Sequence, residues 1–299
     1  MIARSLFILL ASSSLSFGAL SAVYVFGDSL SDVGNARFIS EAVPIIPEQP
    51  ARYSNGPVWN ERLGVPMIPS LEGGTNYAVG GAQTDRGLIP LTGLPNQLSQ
   101  FEVNLAGAAA DPDALYVLFF GGNDIARIST EAPASALPSI LGGVNNLVQA
   151  VNTLQGLGAE RILVANAPDV SLTPLIINNF AGNAAALNAV SSLTDIWNTG
   201  LATALSNLND PNVQLLDINT PFLDRFNNPS GYGLTNLTDP AESVPGADPD
   251  EYFFWDEFHP TESAHQAIAD EVLALTAVPE PSSVLLIASS GLFLLVRRR

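Results

Sequence analysis

Five short apolar runs, most of them closed by a small or polar turn, constrain this chain more than any other feature. They lie at residues 23–26, 75–79, 114–120, 161–165 and 213–218. Two are almost unbroken stretches of apolar residues, the pattern of strands covered on both faces. Between the runs the apolar spacing lengthens to that of helices. In residues 140–157, Leu141, Val144, Leu147, Val148, Val151 and Leu154 share one helix face, and Gly158 stands where that helix should stop. Residues 181–208 form a second, alanine-rich helical region. Residues 261–275 form the last helix, with Thr261 as N-cap and Ala264, Ile268, Val272 and Leu275 on one face. Strands alternating with helices predict an α/β domain, a mostly parallel five-stranded sheet covered by helices. Residues 42–57 and 221–250 are rich in proline and polar residues and long enough to be functional loops.

Composition narrows the partners. With 299 residues, 47% of them apolar, the chain can bury a sizeable core. Its formal charge is −18, from 11 basic and 29 acidic residues, and every basic residue is arginine. Such a surface repels phosphate backbones, which argues against a nucleic-acid partner, and disfavours adhesion to anionic lipid headgroups. The chain has no cysteine, which removes disulfides, thiolate metal sites and a cysteine nucleophile together.

Both ends read as addresses. Residues 1–21 have a positive start at Arg4, an apolar core beginning at Leu6 and small residues after it, the layout of a secretory signal peptide. Cleavage after Ser21 places Ala19 three residues back and is favoured over cleavage after Ala22. At the other end, Val278-Pro279-Glu280-Pro281 precedes an uncharged, mostly apolar run at residues 282–296 and three terminal arginines. This three-part segment, residues 277–299, resembles a PEP-CTERM sorting signal. The resemblance implies recognition near Pro-Glu-Pro by an exosortase-type enzyme, then release or attachment at the cell surface. A plain C-terminal membrane anchor is the other reading, and the run is short for a comfortable span. Both readings put residues 22–276 outside the cytoplasm.

The chemistry concentrates in four blocks. FGDSLSDVGN, residues 26–35, places Ser29 at the carboxyl edge of the first strand and at the start of an expected helix. Serine is a poor nucleophile at its ordinary pKa and needs a base. The chain has two histidines, His259 and His265. His259 lies in WDEFHPT, three residues after Asp256, a spacing at which a carboxylate can orient one ring nitrogen while the other faces Ser29. His265 falls inside the last helix and reads as structural or exposed. GGND, residues 121–124, offers the uncharged amide of Asn123 directly after a strand; NYAVGGAQT, residues 76–84, offers a glycine N–H, and Ser29 its own N–H, as donors to an oxyanion. Asp28, Asp32, Asn35 and Asp124 read as braces for these turns.

Together, in this order, the four blocks resemble those of GDSL/SGNH hydrolases, in particular the bacterial lipase/esterase branch. The resemblance covers the chain from the first strand to the last helix and implies a flavodoxin-like three-layer αβα sandwich. It implies Ser29 as nucleophile, Asp256 and His259 as acid and base, and Ser29, Gly81 and Asn123 as the oxyanion hole, with no metal or organic cofactor. The expected activity is hydrolysis of carboxylic esters. A lipid or short-chain acyl ester would need an apolar groove, from residues 44–47 or 171–180; an O-acetylated polysaccharide would need a small acyl pocket in a polar cleft. A surface binding protein that keeps the fold without turnover is the reading from another class.

Overall fold

The computed structural model describes residues 21–131 and 133–276. Residues 1–20 and 277–299, where the signal peptide and the sorting signal are expected, lie outside them. Strands β1 (Val23–Gly27), β2 (Leu115–Phe119), β3 (Arg161–Ala165) and β4 (Val213–Leu216) form one sheet in that order, each pair parallel. The helices are α1 (Asn35–Ala42), α2 (Leu94–Leu105), α3 (Gly122–Glu131), α4 (Ala136–Leu157), α5 (Pro174–Asn179), α6 (Ala184–Leu208), α7 (Asn219–Asn227) and α8 (Glu262–Thr276).

The strands alternate their side chains between two cores, as period two requires. Phe26, Tyr116, Leu118, Ile162 and Val164 pack with Phe101 of α2, Leu147 and Val151 of α4, and Trp197 of α6. Val23, Val25, Val117, Phe119 and Leu163 pack the other way, against Trp59 and against Ile268 and Val272 of α8. Both faces are therefore apolar, and the three-layer αβα arrangement follows. Each large side chain buried in this way contributes about 1.5–3 kcal/mol.

The fifth expected strand, residues 75–79, runs beside β1 on its other edge but is not a regular strand. The N–H of Val25 donates to Thr75 O (3.1 Å), that of Tyr77 to Val25 O (2.7 Å) and that of Val79 to Gly27 O (3.1 Å). The regular pairing is confined to an isolated parallel bridge, Val25 with Asn76. Gln97 interrupts the rest: its Oε1 accepts the Gly27 N–H at 2.9 Å, the donor a continuing ladder would send to the neighbouring segment, and its amide donates to Gly27 O at 2.8 Å. Counting this segment, the spatial order places the second run outside the first, then the third, fourth and fifth, which is the flavodoxin-like order.

Helix α8 is capped from outside. Thr261 turns its hydroxyl to Tyr252 O (2.8 Å), and Asn55 Oδ1 accepts the Glu262 N–H (2.8 Å). On the same helix His265 is wholly buried, and neither ring nitrogen has a hydrogen-bond partner. Burial, reinforced by the charges of His259 and Arg62, pushes its pKa down from 6.5 to about 3. The folded chain keeps the ring neutral while the unfolded chain protonates below about 6.5, so stability is lost as pH falls through that range toward 3. His265→Leu is expected to stabilise the fold by about 1–3 kcal/mol, because it removes orphaned polar atoms at similar volume. Urea denaturation should show a larger gain at pH 5 than at pH 8; equal gains would show that the ring is not held neutral.

Candidate active site

Four segments meet at the carboxyl ends of the strands. The first is the turn after β1. The helix expected immediately behind Ser29 is reduced there to one turn: the Asp32 N–H donates to Asp28 O (3.0 Å), and the Leu30 N–H to Asp28 Oδ1 (3.0 Å). Helix α1 begins only at Asn35. Asp32 and Gly34 explain the delay: the Asp32 carboxylate captures the Gly34 and Asn35 N–H groups, and Gly34 stands at φ +134°, outside the helical region. The full helix that starts at the site is α3, with Asn123 in its first turn.

Ser29 is buried, and its Oγ lies 2.6 Å from His259 Nε2. His259 Nδ1 lies 2.7 Å from Asp256 Oδ2. Asp256 Oδ1 accepts the N–H of Phe258 and of His259, both at 2.7 Å. Burial alone would raise the Asp256 carboxyl; the hydrogen bond and charge of His259, with the two backbone donors, outweigh it and hold the group below its ordinary value. The loop that carries this pair is tied down on three sides. Trp255 N–H donates to His259 O (2.8 Å), Leu175 N–H to Glu257 O (2.8 Å) and Thr261 N–H to Phe253 O (3.0 Å).

The two adjacent glycines separate by what their N–H groups do. Gly80 N–H donates to Asp32 Oδ2 at 2.8 Å. Gly81, at φ +76°, has no acceptor for its N–H among the described residues, and neither has Ser29. A side chain at Gly81 would be strained by that φ and would meet Leu88 at 2.8 Å. Asn123 Nδ2 donates to Ala82 O (3.2 Å) and also faces the Asp28 carboxyl, so the amide is oriented from two sides. Gly81, Asn123, Ser29 and His259 line one cleft of about 670 Å3.

The expected braces are all buried. Asp32 also accepts the N–H of Gly34 and Asn35 (2.8 Å each) and of Ala36 (3.0 Å). Asp124 takes the Thr84 hydroxyl at 2.5 Å and its N–H at 3.1 Å, joining α3 to the glycine loop. Asn35 Nδ2 donates to Asn76 O and Ala78 O. Burial pushes Asp28 up to about 7, against the Leu30 N–H, the charge of His259 and the Asn123 amide.

Tyr53 is the residue that the sequence did not flag. Its ring packs on His259 at 5.0 Å between centroids, and its hydroxyl donates to Gln49 Oε1 (2.8 Å). A Cβ on Gly80 would lie 2.1 Å from that hydroxyl, so the tyrosine and the glycine need one another. A lone tyrosine in a proline-rich segment carries no pattern that points to this.

Among the described residues no group of three or more His, Cys, Asp and Glu side chains is arranged to hold a metal ion, and no helix is long and apolar enough to cross a membrane. The apolar run at residues 282–296 is outside that statement.

With this geometry in hand, comparison with known proteins gives the class. The sequence pattern of the GDSL-like Lipase/Acylhydrolase family matches residues 23–272, and the chain belongs to that family. The PEP-CTERM protein-sorting motif matches residues 277–299. Among relatives, the protein of the trpE-trpG intergenic region of Pseudomonas putida is 30% identical over 87% of this chain and 49% of its own length. Lipase 1 of Photorhabdus luminescens is 32% identical over 53% of this chain and 24% of its own. The chain thus spans about half the length of the first relative and a quarter of the second. A catalytic mutant of an acetylxylan esterase from Geobacillus stearothermophilus has a similar fold, with a TM-score of 0.50 at 14% identity over 88% of this chain and 98% of that one.

Proposed function

We propose that the protein is an exported serine hydrolase that cleaves carboxylic esters through an acyl-enzyme on Ser29. The observation that carries this reading is the continuous chain of short contacts from Asp256 through His259 to Ser29, at 2.7 and 2.6 Å. In it His259 Nε2 takes the Ser29 proton as Oγ attacks the ester carbonyl, and Asp256 holds the ring in the tautomer that can do so. The N–H groups of Ser29 and Gly81 and the amide of Asn123 receive the developing oxyanion. His259 then passes its proton to the departing alcohol, and water repeats the sequence on the acyl group. Residues 22–276 are the hydrolase domain. Residues 277–299 are the segment read by an exosortase-type enzyme, which places the domain at or beyond the cell surface.

The test is labelling and turnover together. The purified protein should react with a fluorophosphonate probe at Ser29, located by peptide mass spectrometry, and should hydrolyse p-nitrophenyl esters. Failure of both would favour a surface binding protein on the same fold.

A further inference from the structure

Two cavities of unequal size meet at Ser29 and His259. One is the wide cleft of about 670 Å3, lined by the oxyanion donors Gly81 and Asn123 and open to solvent. The other is a narrow crevice of about 30 Å3 that runs from the same two residues between Val170, Ile218, Phe222 and Ile268. Its walls are mostly apolar, completed by Ala264 and Ala267 of α8, with Asp28, Asp169 and Arg225 also on its lining.

We propose that the crevice is the acyl site and that it restricts the enzyme to short acyl groups, of two to about four carbons, carried on a bulkier alcohol. The proposal rests on the hydrolase reading above. The order of events decides which cavity holds which half of the ester. When the Ser29 Oγ–carbon bond has formed and the carbon–alkoxide bond breaks, His259 donates its proton to the alkoxide oxygen, and the alcohol must depart before water can enter. Only the wide cleft offers that exchange. The half that stays bonded to Ser29 needs no exit until water has broken the Oγ–carbon bond, when the short acid leaves through the same wide cleft, so it fits the crevice. One water fills about 10–15 Å3 by this measure of volume, so 30 Å3 admits two or three water-sized groups, room for a short acyl chain and not for a long one. Of the two segments expected to line an acyl groove, residues 45–47 and Leu175, Ile176 and Asn179 line the wide cleft, whereas Thr173 lines the crevice.

The test uses the full chain and p-nitrophenyl esters from acetyl to dodecanoyl. Acetyl and butyryl esters should exceed octanoyl and longer esters in kcat/KM by at least about tenfold, since a methylene that a pocket cannot hold changes the rate by that order. Phe222→Leu, which trims the wall, should raise octanoyl relative to acetyl turnover. Ala267→Leu, which fills the crevice, should lower butyryl relative to acetyl turnover. The second variant keeps the test sharp should the first lose stability, and each is judged by ratios within one protein. A wild-type preference for long chains, or a profile that neither variant moves, overturns the proposal while leaving ester hydrolysis intact. No turnover of any ester and no labelling of Ser29 sinks the hydrolase reading, and the acyl assignment falls with it.

Discussion

Alanine at His259 is expected to lower kcat by roughly 10⁵–10⁶-fold, the scale on which losing the base of a serine–histidine pair acts. Burial makes the effect large. Ser29 is almost inaccessible, and Nε2 at 2.6 Å is the acceptor within reach of its hydroxyl, so solvent cannot substitute for the base. Asp256→Asn should cost less, about 10⁴-fold, and for a different reason. An asparagine can still accept the Phe258 and His259 N–H groups through Oδ1, so the loop stays folded. Its amide would face Nδ1 with a donor, however, and force the ring into the tautomer that presents a hydrogen to Ser29. Steady-state hydrolysis of p-nitrophenyl acetate, with circular dichroism to establish folding, reads both. A His259→Ala protein that keeps its fold and a tenth of the wild-type kcat would remove the imidazole from the mechanism.

Asn123→Ala should lower kcat by about 10²–10³-fold with little change in KM. The amide is held between Ala82 O and the Asp28 carboxyl, so it is positioned before substrate arrives, and its bond to the carbonyl oxygen strengthens only as charge builds there. The fall in kcat rather than in affinity is the discriminating result. A variant whose KM rises with kcat unchanged would make Asn123 a binding residue, and the oxyanion assignment would then rest on Ser29 and Gly81 alone. Removing this side chain also frees Asp28, whose carboxyl faces it, so the pH dependence of the variant should shift in the neutral range where Asp28 titrates, at about 7.

The strands were legible because their apolar runs are buried on both faces, which leaves a continuous signal in Val23–Gly27 and Leu115–Phe119. Residues 75–79 carried the same pattern, but the break in their ladder is made by one side chain from another element, Gln97, and no periodicity records what an amide will bond. The same holds behind Ser29. The residues of the first block were legible as a turn, yet the delay of α1 to Asn35 depends on which backbone donors the Asp32 carboxylate takes and on Gly34 at a positive φ. Ser29, His259 and Asp256 could be singled out because nucleophile, base and orienter must be particular residue types and the chain has few histidines. Tyr53 could not, since its place comes from a ring packed at a tilt on a partner more than two hundred positions away. His265 was readable as non-catalytic, but the completeness of its burial was not.

One carboxylate also settles how the neighbourhood of Ser29 moves. Asp32 accepts the Asn35 N–H on one oxygen and those of Ala36 and Gly80 on the other, so the turn at Ser29 and the glycine loop are joined as a single plate rather than two fingers. Gly80 is the rivet of that plate and Gly81 its working edge. Drift of one loop carries the other along, and the spacing between attacking hydroxyl and waiting amide is preserved even if the whole plate rocks.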